Sequence, residues 1–199
     1  MKKIGRGWQY TVYNLGDDRV LKRCNNKLTA YFIMMLDCFP YIRNPIWKFP
    51  SYYASSILNA KNSLQKLKGT NLDKKLFGNP RYLNNGLDYE QDKLKPLDIQ
   101  LKIITSNEGR KIINNFIDFN KLLIQNGCID KSFNIGKNFA LDKEGNIVLS
   151  DIGELYFSKE AIEKQINKKA WTAHYVIKHI PKELRNYFID NMEILVSKS

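Results

Sequence analysis

The apolar residues of this chain recur with two different periods, and that switch limits the fold more than any other feature. Residues 1–24 alternate as strands do, and Gly16 to Asp18 supply a turn between residues 10–15 and 19–24, which predicts a β-hairpin. In residues 108–125 the apolar positions Ile112, Ile113, Phe116, Ile117, Phe119, Leu122 and Leu123 follow helical spacing, and Gly127 stands behind them as a stop signal. Between these zones, residues 27–36 and 51–68 read as helices. Pro40, Pro45 and Pro50 exclude one continuous helix there.

Two short strand candidates follow, residues 75–83 and 89–94, with Asn84-Asn85-Gly86 as their turn. Pro96 breaks the register. Residues 139–141 and 147–149 form a second hairpin around a turn containing Gly145, and residues 159–196 read as helices broken near Pro181. A small sheet, helices, a sheet, and then a mostly helical half make an α+β chain with two parts joined near Pro96.

A length of 199 residues and a 43% hydrophobic content describe a packed globule. The most apolar stretch, residues 31–38, is shorter than the roughly 20 residues a transmembrane helix needs. No apolar segment follows the basic start, which argues against a secretory signal. Cys24, Cys38 and Cys128 are odd in number and widely spaced, against a disulfide scaffold or a zinc site, so a reducing cytoplasm is expected. The net charge of +12 is uneven: residues 19–81 hold twelve Lys or Arg against Asp37 and Asp73. That excess reads either as a solvated surface or as a face for polyanions, whether nucleic acid, anionic lipid or nucleotide.

Three motifs carry chemistry. Gly5-Arg6-Gly7-Trp8-Gln9-Tyr10-Thr11-Val12 puts glycines at a strand–turn–strand tip, where backbone N–H groups can reach phosphate and Val12 can pack on adenine; a turn needing positive φ explains the glycines equally well. Lys22, in the stretch Val20-Leu21-Lys22 of the returning strand, either neutralises α- and β-phosphates or snorkels outward from an edge. Asn138 opens the second hairpin, and Asp151-Ile152-Gly153 follows it. A carboxamide and a carboxylate at the two ends of one hairpin suit a hard cation such as Mg²⁺, which takes one or two protein oxygens beside phosphate and water. The bland alternative is a surface turn after a buried strand. His174 and His179, five apart, do not share a helix face, and structural roles are expected of both.

In this order, the motifs resemble the protein-kinase superfamily. Gly5, Gly7 and Val12 match the Gly-rich loop, with Tyr10 in place of its third glycine. Lys22 matches the strand lysine, Asn138 the metal-binding asparagine, and Asp151-Ile152-Gly153 the Asp-Phe-Gly motif. Short bacterial kinase-like proteins of the YrbL type look most similar. The resemblance spans residues 1–158. It implies a two-lobed fold in one domain, with an N-lobe over about residues 1–95 and a C-lobe over about residues 96–199. ATP and Mg²⁺ would be held between the lobes, with residues 89–97, Asp92 among them, bordering the adenine.

The departures are specific. No glutamate follows Lys22 on the next helix, which leaves Asp37, Glu90 or Asp92 as its partner, or none. The usual catalytic-base position, five residues before Asn138, is Phe133, so Asp130 is the candidate base on a longer loop. No Ala-Pro-Glu sequence follows Gly153. Three readings follow: a phosphotransferase acting on a hydroxyl of a protein or small molecule, with Lys22, Asp130, Asn138 and Asp151 as its catalytic residues; a pseudokinase; or a basic protein that binds nucleic acid or a membrane surface.

Overall fold

The computed structural model describes residues 1–16, 18–38 and 46–196. Pro40 and Pro45, and the Asp37 side chain considered as a partner for Lys22, lie outside the described residues. The chain divides into two compact units, Met1–Asn71 with Asn79–Lys93, and Leu72–Gly78 with Leu94–Ser199. No helix among the described residues is long and apolar enough to cross a membrane.

The first unit is built on five antiparallel strands, β1 (Lys2–Arg6), β2 (Tyr10–Gly16), β3 (Arg19–Cys24), β4 (Arg81–Tyr82) and β5 (Tyr89–Asp92), in the order β1-β2-β3-β5-β4. The alternation read in residues 1–24 thus yields three strands. Two helices belong to the same unit, α1 (Lys27–Cys38) and α2 (Phe49–Gly69). The Asn26 carboxamide oxygen accepts the Thr29 N–H at 2.9 Å and starts α1. Pro50 sits in the first turn of α2, where a missing N–H leaves no helical bond unmade, so it opens that helix rather than breaking it. Tyr10, Leu21, Ala30, Ile33, Leu64 and Tyr89 are buried in the unit's core.

The strand expected over residues 75–83 is mostly absent. Gly78 and Asn79 take φ of +65° and +50°, and Pro80 follows, so residues 74–77 close into a 3-10 turn and only Arg81 and Tyr82 pair with β5.

In the second unit β6 (Lys95–Pro96), β8 (Phe139–Leu141) and β9 (Ile147–Leu149) form one antiparallel sheet, and β7 (Ile129–Asp130) pairs with β10 (Leu155–Tyr156) in another. The helices are α3 (Leu97–Ile103), α4 (Ser106–Gln125), α5 (Ile135–Asn138), α6 (Lys159–Asn167), α7 (His174–Ile177) and α8 (Arg185–Met192). A reciprocal Thr105–Glu108 capping box begins α4, and Gly127 at φ +70° ends it, which places the periodic apolar stripe where the sequence puts it.

That stripe carries Phe116 and Phe119 onto Phe139 of β8, with ring centroids 4.7 and 6.0 Å apart and the rings nearly perpendicular. Phe188 of α8 closes the cluster at 6.0 Å from Phe116. The 3-10 turn of residues 74–77 lies against β9 and buries Phe77, which is why this short segment belongs to the second unit.

Candidate functional site

In the first unit the strand register decides which side chains share a face. Gly5 pairs with Val12, Val12 with Lys22, Lys22 with Tyr89, and Tyr89 with Tyr82, so the five residues form one transverse row across the whole sheet. Side chains directly opposite one another stand on the same face. Gly5, Val12 and Lys22, singled out for a nucleotide, are therefore neighbours. The Lys22 ammonium lies 5.5 Å from the Tyr89 ring centroid, and Tyr10 meets that ring edge-on at 5.5 Å.

Glu90 and Asp92 do not join this row. Glu90 pairs with Leu21 and Asp92 with Arg19, the opposite parity to Lys22, and both carboxylates are taken by Arg19, at 4.0 and 2.7 Å. Asp92 also accepts from the Asn79 carboxamide. The expected role of Asp92 beside a bound nucleotide, and of either carboxylate as partner to Lys22, finds no geometry on the lysine's face.

The turn between β1 and β2 is pinned by a residue the sequence reading passed over. Asn25, buried just beyond β3, donates from its amide to the carbonyls of Gly7 at 2.8 Å and Trp8 at 3.0 Å. Its carboxamide oxygen accepts the Thr11 hydroxyl at 2.6 Å, and its backbone N–H donates to the Gln9 carbonyl at 2.9 Å. Gln9 in turn donates to Ser56 on α2 at 2.6 Å. Three successive carbonyls of the turn are thus directed into the protein. Neither Gly5 nor Gly7 has positive φ, and a Cβ built on them meets nothing closer than 3.6 and 3.8 Å. The alternative explanation by a left-handed turn does not hold for either glycine.

In the second unit the candidate residues cluster at one loop. Asp130 ends β7 and is 1% exposed. One carboxylate oxygen accepts the Asn138 amide at 2.8 Å; the other accepts the Ser132 N–H at 3.1 Å, the Ser132 hydroxyl at 3.0 Å and the Asn134 N–H at 3.2 Å. Burial pushes its carboxyl up to about 6, against the lowering effect of those four donors. So enclosed, Asp130 organises the loop and is not open to a substrate hydroxyl.

Phe133, five residues before Asn138, has φ +51° and is fully buried edge-on to Trp171, with ring centroids 5.7 Å apart. Gly136 is required where it stands, because a Cβ there would collide with His179 and meet Asp98 at 3.4 Å. The His179 imidazole is shifted below its ordinary value, first by burial and then by Lys137 and Lys178.

The ends of the second hairpin meet. The Asn138 carbonyl accepts from the backbone N–H of Ser150 at 2.8 Å and of Asp151 at 3.0 Å, and from the Ser150 hydroxyl at 3.0 Å. With its amide fixed on Asp130, Asn138 has a carboxamide oxygen that no donor reaches among the described residues, and the side chain is half-buried. Asp151, also half-buried, accepts from the Gly153 N–H at 3.2 Å through one oxygen.

Among the described residues no group of three or more His, Cys, Asp or Glu is placed to hold a metal. An amide oxygen and one carboxylate are a different donor set, and both are hard oxygens of the kind Mg²⁺ takes in ones and twos. The thiols of Cys24 and Cys128 are pushed up to about 11 and about 12, chiefly by burial, so both are protonated at neutral pH and neither is an activated nucleophile. Comparison with known proteins finds no family model that matches the chain and no matching curated protein.

Proposed function

We propose that the chain is a small kinase-like phosphotransferase of two-lobed type that uses ATP and Mg²⁺ and acts on a hydroxyl of a protein or small molecule. The observation that carries this reading is the closed hairpin of the second unit, in which the Asp151 N–H donates to the Asn138 carbonyl while the Asn138 amide nitrogen is held by Asp130. Asn138 and Asp151 would hold the metal. When bound, it would neutralise phosphate charge as the γ-phosphoryl group leaves. In the first unit, Lys22, in a row with Gly5 and Val12, would supply positive charge to phosphate, and the turn held by Asn25 would offer backbone N–H groups to it.

Asp130 enters this reading as a positioning residue. Its carboxylate holds the Asn138 amide nitrogen, which would leave the amide oxygen for the metal. Phosphoryl transfer of this kind depends mainly on positioning and electrostatics, so a buried Asp130 does not by itself remove activity.

Magnesium-dependent ATP consumption by the wild type should fall at least about a hundredfold in Asp151→Ala. Equal turnover in both proteins would end the catalytic reading. A pseudokinase is the second reading, favoured by the enclosure of Asp130, which leaves no exposed carboxylate at that loop position. ATP with Mg²⁺ would then raise the melting temperature by mass action, with no turnover in either protein.

A further inference from the structure

Helix α1 of the first unit turns a stripe of large apolar side chains to solvent. Leu28 is 80% exposed, Phe32 59%, Met35 51% and Leu36 45%, at positions i, i+4, i+7 and i+8, which is one helix face. The opposite face is the one that packs, through Ala30 and Ile33. Ile46 and Trp47, on the 3-10 turn leading into α2, are 53% and 79% exposed. Phe49, two residues beyond Trp47, touches Tyr31 of α1 at 6.3 Å, so this turn sits beside that helix.

The same part of the chain is strongly basic. From Arg19 through Lys68 the sequence holds nine Lys or Arg against one acid, Asp37, and of these Arg19 and Arg23 are already paired with Glu90, Asp92 and Asp88. Lys27 and Lys48, both exposed, stand at the start of α1 and next to Trp47.

We propose that this face of the first unit docks on an anionic lipid membrane, with Leu28, Phe32, Met35 and Trp47 entering the interfacial layer while Lys27 and Lys48 meet acidic headgroups. Membrane-surface helices combine those two features, apolar side chains below and basic ones at the headgroup level. Each alternative occupant fits only one half of the observation. A second copy of the chain would cover the apolar stripe, but a two-fold interface brings the same patch onto itself and so opposes Lys27 and Lys48 with the same uncompensated charges. A nucleic acid would satisfy the charge, but phosphate recognition gives an exposed Leu28–Phe32–Met35 stripe nothing to do.

The test is co-sedimentation of the full chain with phosphatidylcholine vesicles, with and without phosphatidylserine. Binding is expected with phosphatidylserine and not without it, and it should weaken as salt is added. The double variant Leu28→Ser/Phe32→Ser keeps the charge and alters only exposed positions. Its binding should fall by more than about tenfold while its melting temperature matches that of the wild type. Retained binding by this variant would overturn the proposal, because charge alone would then explain the association. Failure of the wild type to bind phosphatidylserine vesicles would overturn it directly. A lipid-free dimer that dissociates in the same variant, seen by sedimentation equilibrium, would assign the face to a second copy instead.

Discussion

Asp130 is the residue at which burial and chemistry pull hardest against each other. A carboxylate with no solvent and four donors is held charged by its hydrogen bonds and pushed toward neutrality by its surroundings, and burial wins, raising it to about 6. A folded value above the unfolded one means the native state binds the extra proton. The group therefore favours the fold below about pH 4, and this contribution is lost as pH rises to about 6. In denaturant titrations the stability advantage of wild type over Asp130→Asn should shrink between those pH values, by an amount on the order of 2 kcal/mol. An advantage that grows with pH over that window would contradict the assignment. Asn25 makes a simpler case. Its replacement by Ala removes three side-chain hydrogen bonds at a buried site and should cost about 1–3 kcal/mol, read as a lowered denaturation midpoint.

Neither residue's environment was visible in the chain. Asp130 could be picked out as the nearest carboxylate preceding Asn138, but its enclosure depends on Ser132 and Asn134 folding back on it and on Phe133 accepting a left-handed backbone. Phe is not a residue whose type announces that conformation. Asn25 follows a strand and precedes a helix, where an Asn ordinarily reads as a cap. Its contact with the Gly7 and Trp8 carbonyls arises only because β1, β2 and β3 are registered side by side.

At the scale of elements, most of the chain's organisation was readable, because local signals and packing agree. The helix over residues 108–125 has a capping box, an apolar stripe and a terminal glycine, and all three act as their chemistry dictates. The second hairpin likewise has its turn set by Asp142 accepting the Asn146 N–H at 2.7 Å. The strand expected over residues 75–83 failed because its alternation was interrupted by Gly78 and Asn79, whose left-handed backbone outweighs the flanking apolar residues. The β1–β2 turn offers an element-level test. Gly7 is needed neither for φ nor for space, so Gly7→Ala should fold with unchanged or slightly raised stability, by up to about 1 kcal/mol. If the turn approaches a nucleotide, the same substitution should weaken the ATP-induced shift in melting temperature. A loss of folding in Gly7→Ala would mean that the glycine answers to the fold alone.

Across the whole molecule, the division of the chain is not the one its sequence suggests. A break near Pro96 is legible, and the longer segment of the second unit runs from Leu94. What the pattern conceals is that Leu72–Gly78, far upstream, belongs to that second unit, because Phe77 is 2% exposed and its turn lies on β9. A side chain that buries against a strand some seventy residues later leaves no periodic trace in its own neighbourhood. The consequence can be measured on fragments. A chain of residues 94–199 lacks Phe77 and leaves the β9 surface beneath it bare, which is the equivalent of deleting a large core side chain at about 3–5 kcal/mol. A chain of residues 72–199 restores that contact at the expense of an unsupported segment, residues 79–93, whose closure as a loop costs comparatively little. Under limited proteolysis the longer fragment should lose residues 79–93 first and retain a resistant core, whereas the shorter one should be cut throughout. Phe77→Ala in the longer fragment should abolish that difference. Equal resistance of the two fragments would mean that the second unit's stability does not depend on the borrowed turn.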